Sequence, residues 1–324
     1  MRLTDSRSYN IQMLRGLAII AVVFIHNTPS GIAQVWYRPF LNFAVGLFLF
    51  MSGMLSDSRK WKPRKRIIKV IIPYILWTLV YVILLSKYDT FSNIPVIYVK
   101  QLITGRAAAI MYYVFIYCEF TLLIPLIDKL ANSKYKYIGF IISPIEIILM
   151  RLLPLIFDIQ VNNYVDIIQN VSCLGWFSYF YFGYLLGNSR IILKVSNRKL
   201  AIFWGISIIS QIIEGYIYFC LGEPNCGTQL KLTSLLSGIL FCMLAYRFIC
   251  TTKNICLKLL YVLGNISFGI YFSHISIMVI LSNVPFYSKY VIYPFNTLIT
   301  ILISCAFVHI GRKNFGKYSK YLAL

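Results

Sequence analysis

The sequence predicts an all-α, polytopic integral membrane helix bundle of about ten transmembrane helices, with both termini cytoplasmic. Three observations carry this. The 324 residues are 59% hydrophobic and only 13% charged, with a mean hydropathy of +0.73; a soluble domain needs about 25% charged residues to cover its surface. The apolar residues fall into ten continuous runs close to the ~20 residues that a helix needs to cross a ~30 Å hydrocarbon core, without the alternation of a β-barrel. Most of the 31 Lys and Arg, against 10 Asp and Glu, lie between those runs. The formal charge of +21 therefore reads as membrane topology rather than as a nucleic-acid footprint.

The runs cover residues 11–28, 37–55, 67–86, 111–127, 138–157, 171–187, 200–221, 230–249, 259–281 and 291–310. Pro73, Pro125, Pro144 and Pro154 fall inside them, which membrane helices tolerate when neighbours satisfy the freed carbonyls. The first run does not read as a cleaved signal peptide, because it lacks a small-residue cleavage site and Arg15 interrupts its apolar start. The longest loop, 87–110, is too short for a soluble domain. The chain thus reads as one integral membrane domain over 1–324.

The bases orient the bundle. The N-terminus, the loops after runs two, four, six and eight, and the C-terminus carry 23 of them with their adjoining run ends. The alternate loops carry 6: Arg38, Lys87, Lys100, Arg106, Lys231 and Lys289. Arg15 and Arg151 lie within runs. Lys and Arg are retained in cytoplasmic loops, so the 23-rich side is cytoplasmic.

Ionisable groups inside a span are costly and mark function by default. They are Arg15, His26, Glu119, Glu146, Arg151, Glu214 and His274; His309 falls at the cytoplasmic end of its run. Arg15 and His26 are eleven positions apart, about 20° beyond three full turns, so they share one helix face about 16 Å apart along the axis. The first run points outward, which puts Arg15 near the inner leaflet and His26 in the outer half. His274 lies about 22 Å along the outward-running ninth run, a depth comparable with His26. A buried histidine stays neutral near pH 7 and can accept a proton from a hydroxyl, as Arg and Lys cannot. A hydrogen bond to a neighbouring helix is the plainer role open to His274. Glu119, Glu146 and Glu214 fit ion pairs or a polar cavity equally. Glu146 and Arg151, five apart, are about 140° apart around an α-helix, so they are not expected to pair along their own run. Each then faces a different helix, which predicts an interior position for the fifth run.

Seven bases stand between positions 59 and 69. They serve as a topology determinant that touches anionic lipid, and as a candidate electrostatic site for a phosphorylated cytoplasmic molecule. The 8 cysteines contain no C-x-x-C pair. Cys220 and Cys226 flank an outer loop, where an external disulfide and two apolar fillers are both open readings. Three histidines without clustered carboxylates or thiolates make no case for a metal. No nucleophile elbow, Walker loop or dinucleotide fingerprint is present.

The motifs resemble a known family. The segment LRGLAIIAVVFIHN (14–27) resembles the first helix of membrane acyltransferase family 3, whose signature is an Arg, ten residues, then a His. In the family's order there follow AVGLFLFMSGML (44–55), RKRIIKVIIPYILWTLVY (64–81), YYVFIYCEFTLLIPLI (112–127), FYFGYLLG (180–187) and GNISFGIYFSH (264–274). The resemblance thus covers 14–274. The family's third-span entry often reads Arg-x-x-Arg; here it is Arg66-Ile-Ile-Lys69. Lys keeps the charge without the planar fork suited to bidentate phosphate binding.

The chain looks like the short, stand-alone branch associated with sugar O-acetylation. The resemblance implies transfer of an acyl group, usually acetyl, from cytoplasmic acetyl-CoA or another acyl-CoA to a hydroxyl of a cell-surface polysaccharide or lipid-linked glycan precursor, in the bacterial cytoplasmic membrane. The expected roles are His26 and Arg15 in catalysis and His274, Arg66 and Lys69 in substrate binding. The expected partners are donor, glycan acceptor and membrane lipid, with no nucleic acid. A polysaccharide transporter, flippase or polymerase is the alternative; the sequence shows no internal repeat of the kind many transporters carry.

Overall fold

A computed structural model describes residues 5–85, 93–159, 162–251 and 257–324. Arg2, Lys87 and Lys253, counted in the charge alternation, lie outside them. The described residues are helical with no strand. The helices are α1 (Asp5–Asn27), α2 (Ala33–Tyr37), α3 (Phe43–Met54), α4 (Pro63–Leu85), α5 (Ile94–Thr104), α6 (Tyr112–Asn132), α7 (Ile142–Ile147), α8 (Leu153–Ile156), α9 (Asn163–Val171), α10 (Phe177–Gly187), α11 (Asn197–Cys220), α12 (Leu232–Thr251), α13 (Lys258–Ser282), α14 (Pro285–Tyr290) and α15 (Phe295–Phe315).

Eight helical segments among the described residues are long and apolar enough to cross a membrane: Ser8–Asn27, Ala33–Met54, Pro63–Leu85, Lys136–Ile156, Asn197–Cys220, Leu232–Cys250, Lys258–Ser282 and Phe295–Tyr321. Each coincides with one of the ten expected runs. The other two differ for separate reasons. The fourth run is α6, which is long enough at 21 residues but carries Glu119, Asp128, Lys129 and three tyrosines. The sixth is α10, only 11 residues long and buried at every position; at about 16 Å it is too short to cross alone. The loop expected at 87–110 contains α5.

The chain forms two compact units. The first holds Met1–Trp61, Ile124–Val161 and Leu174–Asn265. Its centre is the pairing of α3 with α10, backbone against backbone. A methyl group on Gly53 would overlap the carbonyl of Phe180, and one on Gly183 would overlap the carbonyl of Phe50. These are the glycines of MSGML and FYFGY, so the two motifs mark a helix crossing. Close approach through small residues is how helices associate where lipid is as apolar as the side chains. α1 meets the start of α13 in the same way: Gly16 faces the Leu260 carbonyl and Gly264 the Gln12 carbonyl. Tyr9 stacks on Tyr261 there, with ring centroids 4.3 Å apart.

At one end of this unit Asp128 accepts hydrogen bonds from Tyr184 Oη at 2.7 Å and Ser58 Oγ at 2.9 Å, pinning the segment that leads into α4. At the other end the connection from α11 to α12 is tied to α2 and the turn around it. Gln34 Nε2 donates to Pro224 O at 3.2 Å, Asn42 Nδ2 to Gly227 O at 3.3 Å, and Cys226 Sγ to Gly31 O at 3.4 Å. Cys220 is exposed and Cys226 buried, both as free thiols; the disulfide reading does not hold, and Cys226 fills space.

Two expectations for the fifth run are corrected. Residues Ile148–Leu152 form a π-helical turn between α7 and α8. A π turn bonds i to i+5, which carries residue 151 back over residue 146. Glu146 and Arg151 do therefore pair, with Oε2 and Nε 4.0 Å apart. The run is also not interior: only 17% of its apolar window is buried.

The second unit holds Lys62–Leu123, Asn162–Cys173 and Ile266–Leu324. Its core is aromatic, built on Tyr74, Trp77, Tyr81 and Phe272 with Met111. Each polar ring atom finds a backbone carbonyl. Tyr74 Oη donates to Leu102 O at 2.7 Å, Tyr81 Oη to Phe272 O at 2.7 Å and Trp77 Nε1 to Leu322 O at 2.9 Å. Such bonds let Tyr and Trp pack in a core without leaving a buried donor unmet.

Candidate functional site

Arg15 and His26 stand on α1, which is unbroken from Asp5 to Asn27. The helical register that places them on one face therefore holds over the whole interval. Both are half-buried. Arg15 Nη1 donates to Gln12 Oε1 at 3.5 Å, one turn back. The next residue, Gly16, is locked against α13, so the α1–α13 crossing positions the Arg15 backbone. His26 is in the last turn of α1. The helix ends just after it, where Asn27 Nδ2 and Thr28 Oγ1 bond the carbonyls of Val23 and Phe24 at 3.0 and 2.8 Å.

His274 belongs to the second unit and is wholly buried on α13. Its Nδ1 lies 2.9 Å from the Ile270 carbonyl oxygen. A carbonyl only accepts, so in this contact Nδ1 carries the proton and Nε2 presents its lone pair. That tautomer suits a proton acceptor or a hydroxyl-binding group.

Arg66 and Lys69 lie on the first turns of α4. Lys69 is exposed and Arg66 half-buried. Lys62, Pro63, Arg64, Lys65, Ile68 and Lys69 line one shallow concavity at that helix start. Positions 65, 68 and 69 share a helix face by the i, i+3, i+4 rule; Arg66 is off that face and does not line the concavity. Lys62, Arg64 and Lys65, which the sequence marks only as members of the seven-base cluster, join Lys69 there.

The three intramembrane glutamates acquire distinct places. Glu119 Oε2 accepts the Cys173 backbone N–H at 2.6 Å. Glu214 Oε2 accepts from the Thr233 N–H at 2.9 Å and from its hydroxyl, so it satisfies a free amide in the first turn of α12 from a neighbouring helix. Glu146 pairs with Arg151. Lys231, counted in the sequence as a loop charge, is 1% exposed. Its Nζ donates to Cys226 O at 2.8 Å and lies 5.6 Å from the centre of the Tyr218 ring. No spacing in the sequence marked Lys231 or Tyr218, because the fold of the α11–α12 connection brings them together.

A family model described as an acyltransferase domain matches residues 8–309. The chain belongs to acyltransferase family 3. No curated protein and no solved structure matches it. Membership implies an acyltransferase built into a membrane. In this acyltransferase the matched stretch runs from α1 into α15 and takes in Arg15, His26, Arg66, Lys69 and His274. The family's glycine-bearing motifs correspond here to the α3–α10 and α1–α13 crossings. They build the frame, whereas the Arg and His of the first helix are left half-exposed on it.

Proposed function

We propose that this acyltransferase moves an acetyl group from cytoplasmic acetyl-CoA to a hydroxyl of a cell-surface polysaccharide or of its lipid-linked precursor. The observation that carries the reading is the unbroken α1, which holds a permanent cation and a titratable base on one face. In the reaction, His26 takes the proton of the sugar hydroxyl as the oxygen attacks the thioester carbonyl carbon. The C–O bond forms, the C–S bond breaks, and the coenzyme A thiolate recovers the proton from the histidinium. Arg15 orients or neutralises the donor. His274 binds the acceptor or assists the proton transfer through Nε2. Transfer through an acyl group carried on His26 differs only in dividing the step in two.

The donor's phosphates are assigned to the start of α4. Its four bases and the positive end of the helix dipole favour anions. Reversing Lys65 and Lys69 to Glu is expected to raise the apparent KM for acetyl-CoA by about tenfold or more, with a smaller change in kcat. An unchanged KM would remove these residues from the donor site. The same bases hold the helix start at anionic lipid.

The ten-span arrangement, with cytoplasmic termini in the bacterial cytoplasmic membrane, is part of this proposal. α10 is surrounded by protein at every position, so it needs no lipid-matched length to lie across the bundle, and ten crossings preserve the alternation of bases. A variant retaining Cys220 as its single cysteine should be modified in intact cells by a membrane-impermeant maleimide. Labelling only after cell lysis would reverse that end of α11. The reaction itself is tested by the mass of the surface glycan with and without the gene. A shift of one acetyl per repeat supports transfer, whereas loss of the glycan supports export or polymerisation.

A further inference from the structure

In the second unit the segment between α4 and α6, expected as an outer loop, dips into the bundle. α5 packs on α4. Tyr98 Oη of α5 donates to Ile75 O at 3.2 Å, and Leu102 O accepts from Tyr74 Oη at 2.7 Å. Tyr74 stands eleven residues from either end of α4, about 16 Å from each. The last turns of α5 thus reach the middle of a span. The chain turns there on Gly105, whose φ of 67° lies in the left-handed region that glycine enters without cost. Ile110 and Met111 then join the aromatic core. Irregular backbone at membrane depth is tolerated only where protein buries it or water reaches it. Here one side of the turn is buried, and the other carries a charge. Arg106 donates to the Asp166 carboxylate of α9, and Asn170 Nδ2 donates to Asp166 Oδ1 at 3.1 Å. The Arg106 and Asp166 side chains are 37% and 48% exposed, and Asn170 is exposed as well. Hydrocarbon does not solvate such groups, which at this depth face protein or water. α9 shows the same division: Asn163, Asp166 and Asn170 share one face, while Tyr164, Val165 and Ile168 lie exposed on the opposite one. A helix with exposed polar and apolar faces has water on one side and lipid on the other.

We infer that Arg106, Asp166 and Asn170 line a water-filled recess, open to the outer side, that binds the hydroxyl groups of the glycan acceptor. This rests on the acceptor reading above and names residues that hold the acceptor. The guanidinium has five N–H donors and the carboxylate four acceptor sites, more than the bonds among these three side chains use. A planar fork of donors beside a carboxylate suits hydroxyls on neighbouring ring carbons, which accept from the one and donate to the other. The two charges cancel, so an uncharged sugar enters without leaving an ion unpaired. The turn is also tied to the helix of the acceptor-side histidine. Tyr271 Oη of α13 donates to Ile110 O, and the Tyr271 and His274 rings have centroids 6.4 Å apart.

The test is thiol labelling by a membrane-impermeant maleimide, in a full chain whose 8 native cysteines are replaced by alanine. Ala109→Cys, beside the turn, is compared with Leu76→Cys, on α4 two residues from Tyr74; both positions are exposed. Ala109→Cys should react about tenfold faster or more, because the thiolate that attacks the reagent forms in water and not in hydrocarbon. Equal rates overturn the recess, and labelling of intact cells only after lysis overturns its outward opening. In nanodiscs, saturating isolated glycan should slow the Ala109→Cys reaction by about tenfold, since a bound ligand covers its site. Absence of protection overturns the sugar site. Adding Arg106→Gln or Asn170→Ala, both at exposed positions that tolerate substitution, should abolish the protection. Protection that survives both overturns the assignment of these residues. So does loss of protection accompanied by fast labelling of Leu76→Cys in the same variants, which would trace the loss to unfolding. The labelling needs no donor, so its failure leaves acetyl transfer at His26 standing. Conversely, protection by glycan without an acetyl shift in the surface glycan refutes the transfer reading and keeps the site.

Discussion

Purified protein carrying His26→Ala should transfer acetyl groups to isolated glycan about 10²–10⁴-fold more slowly than wild type, the range that a positioned proton acceptor contributes. The size of the effect follows from chemistry. A sugar hydroxyl is a poor nucleophile until its proton is drawn away, and near pH 7 a neutral imidazole is the side chain suited to take it. His26 is half-buried in the last turn of an unbroken helix. Alanine keeps the helix and leaves the donor's phosphate site untouched, so the variant should keep its affinity for acetyl-CoA, and the loss should lie in kcat. Arg15→Ala should behave differently. Removing the cation that orients the donor raises KM as well as lowering kcat. Transfer by His26→Ala within a few-fold of wild type would end the catalytic assignment.

The largest structural effect is expected at the α3–α10 crossing. Gly53→Leu or Gly183→Leu places a side chain where the partner helix has its backbone. Backbone cannot rotate aside as a flexible side chain does, so the helices must separate along their buried length. Overpacking ordinarily costs about 1–3 kcal/mol, and here α10, buried at every position, has no other surface to take up the shift. Little folded protein should survive detergent extraction, and gel filtration of the extract measures this directly. Gly53→Ala should fold with a lowered melting temperature. Gly205 of α11 is the control, since nothing stands within 4 Å of its added methyl; Gly205→Ala should be neutral or stabilising by up to about 1 kcal/mol. Equal tolerance at Gly53 and Gly205 would show that the crossing does not hold the unit together.

The shared helix face of Arg15 and His26 was legible in the sequence because its logic is local. Arg15 and His26 share a face whenever the helix between them is unbroken, and that depends only on eleven residues without a breaker. The eight spanning segments were legible because lipid compatibility is a property of each segment alone. The length of α10 is not legible, because an apolar run reads the same whether lipid or protein surrounds it. The Glu146–Arg151 pair is not legible, because an α-helix sets the two side chains about 140° apart and a π turn changes that angle without a signature in composition. In the sequence Lys231 reads as a charge of an outer loop. A lysine's sequence neighbours do not say whether the loop folds back over it.

The sequence by itself determined that the chain is a helical membrane protein, that most of its bases fall between apolar runs, and that one helix presents a cation and an imidazole on one face. Each of these follows from solvation of a segment or from helical periodicity, which act over a few turns. Only the tertiary structure decided which glycines are crossings, which glutamates cap a helix or hold a strand of backbone, and which charged pair a π turn brings together. Those outcomes depend on what a distant segment places within 3 or 4 Å. No periodicity along the chain encodes that distance.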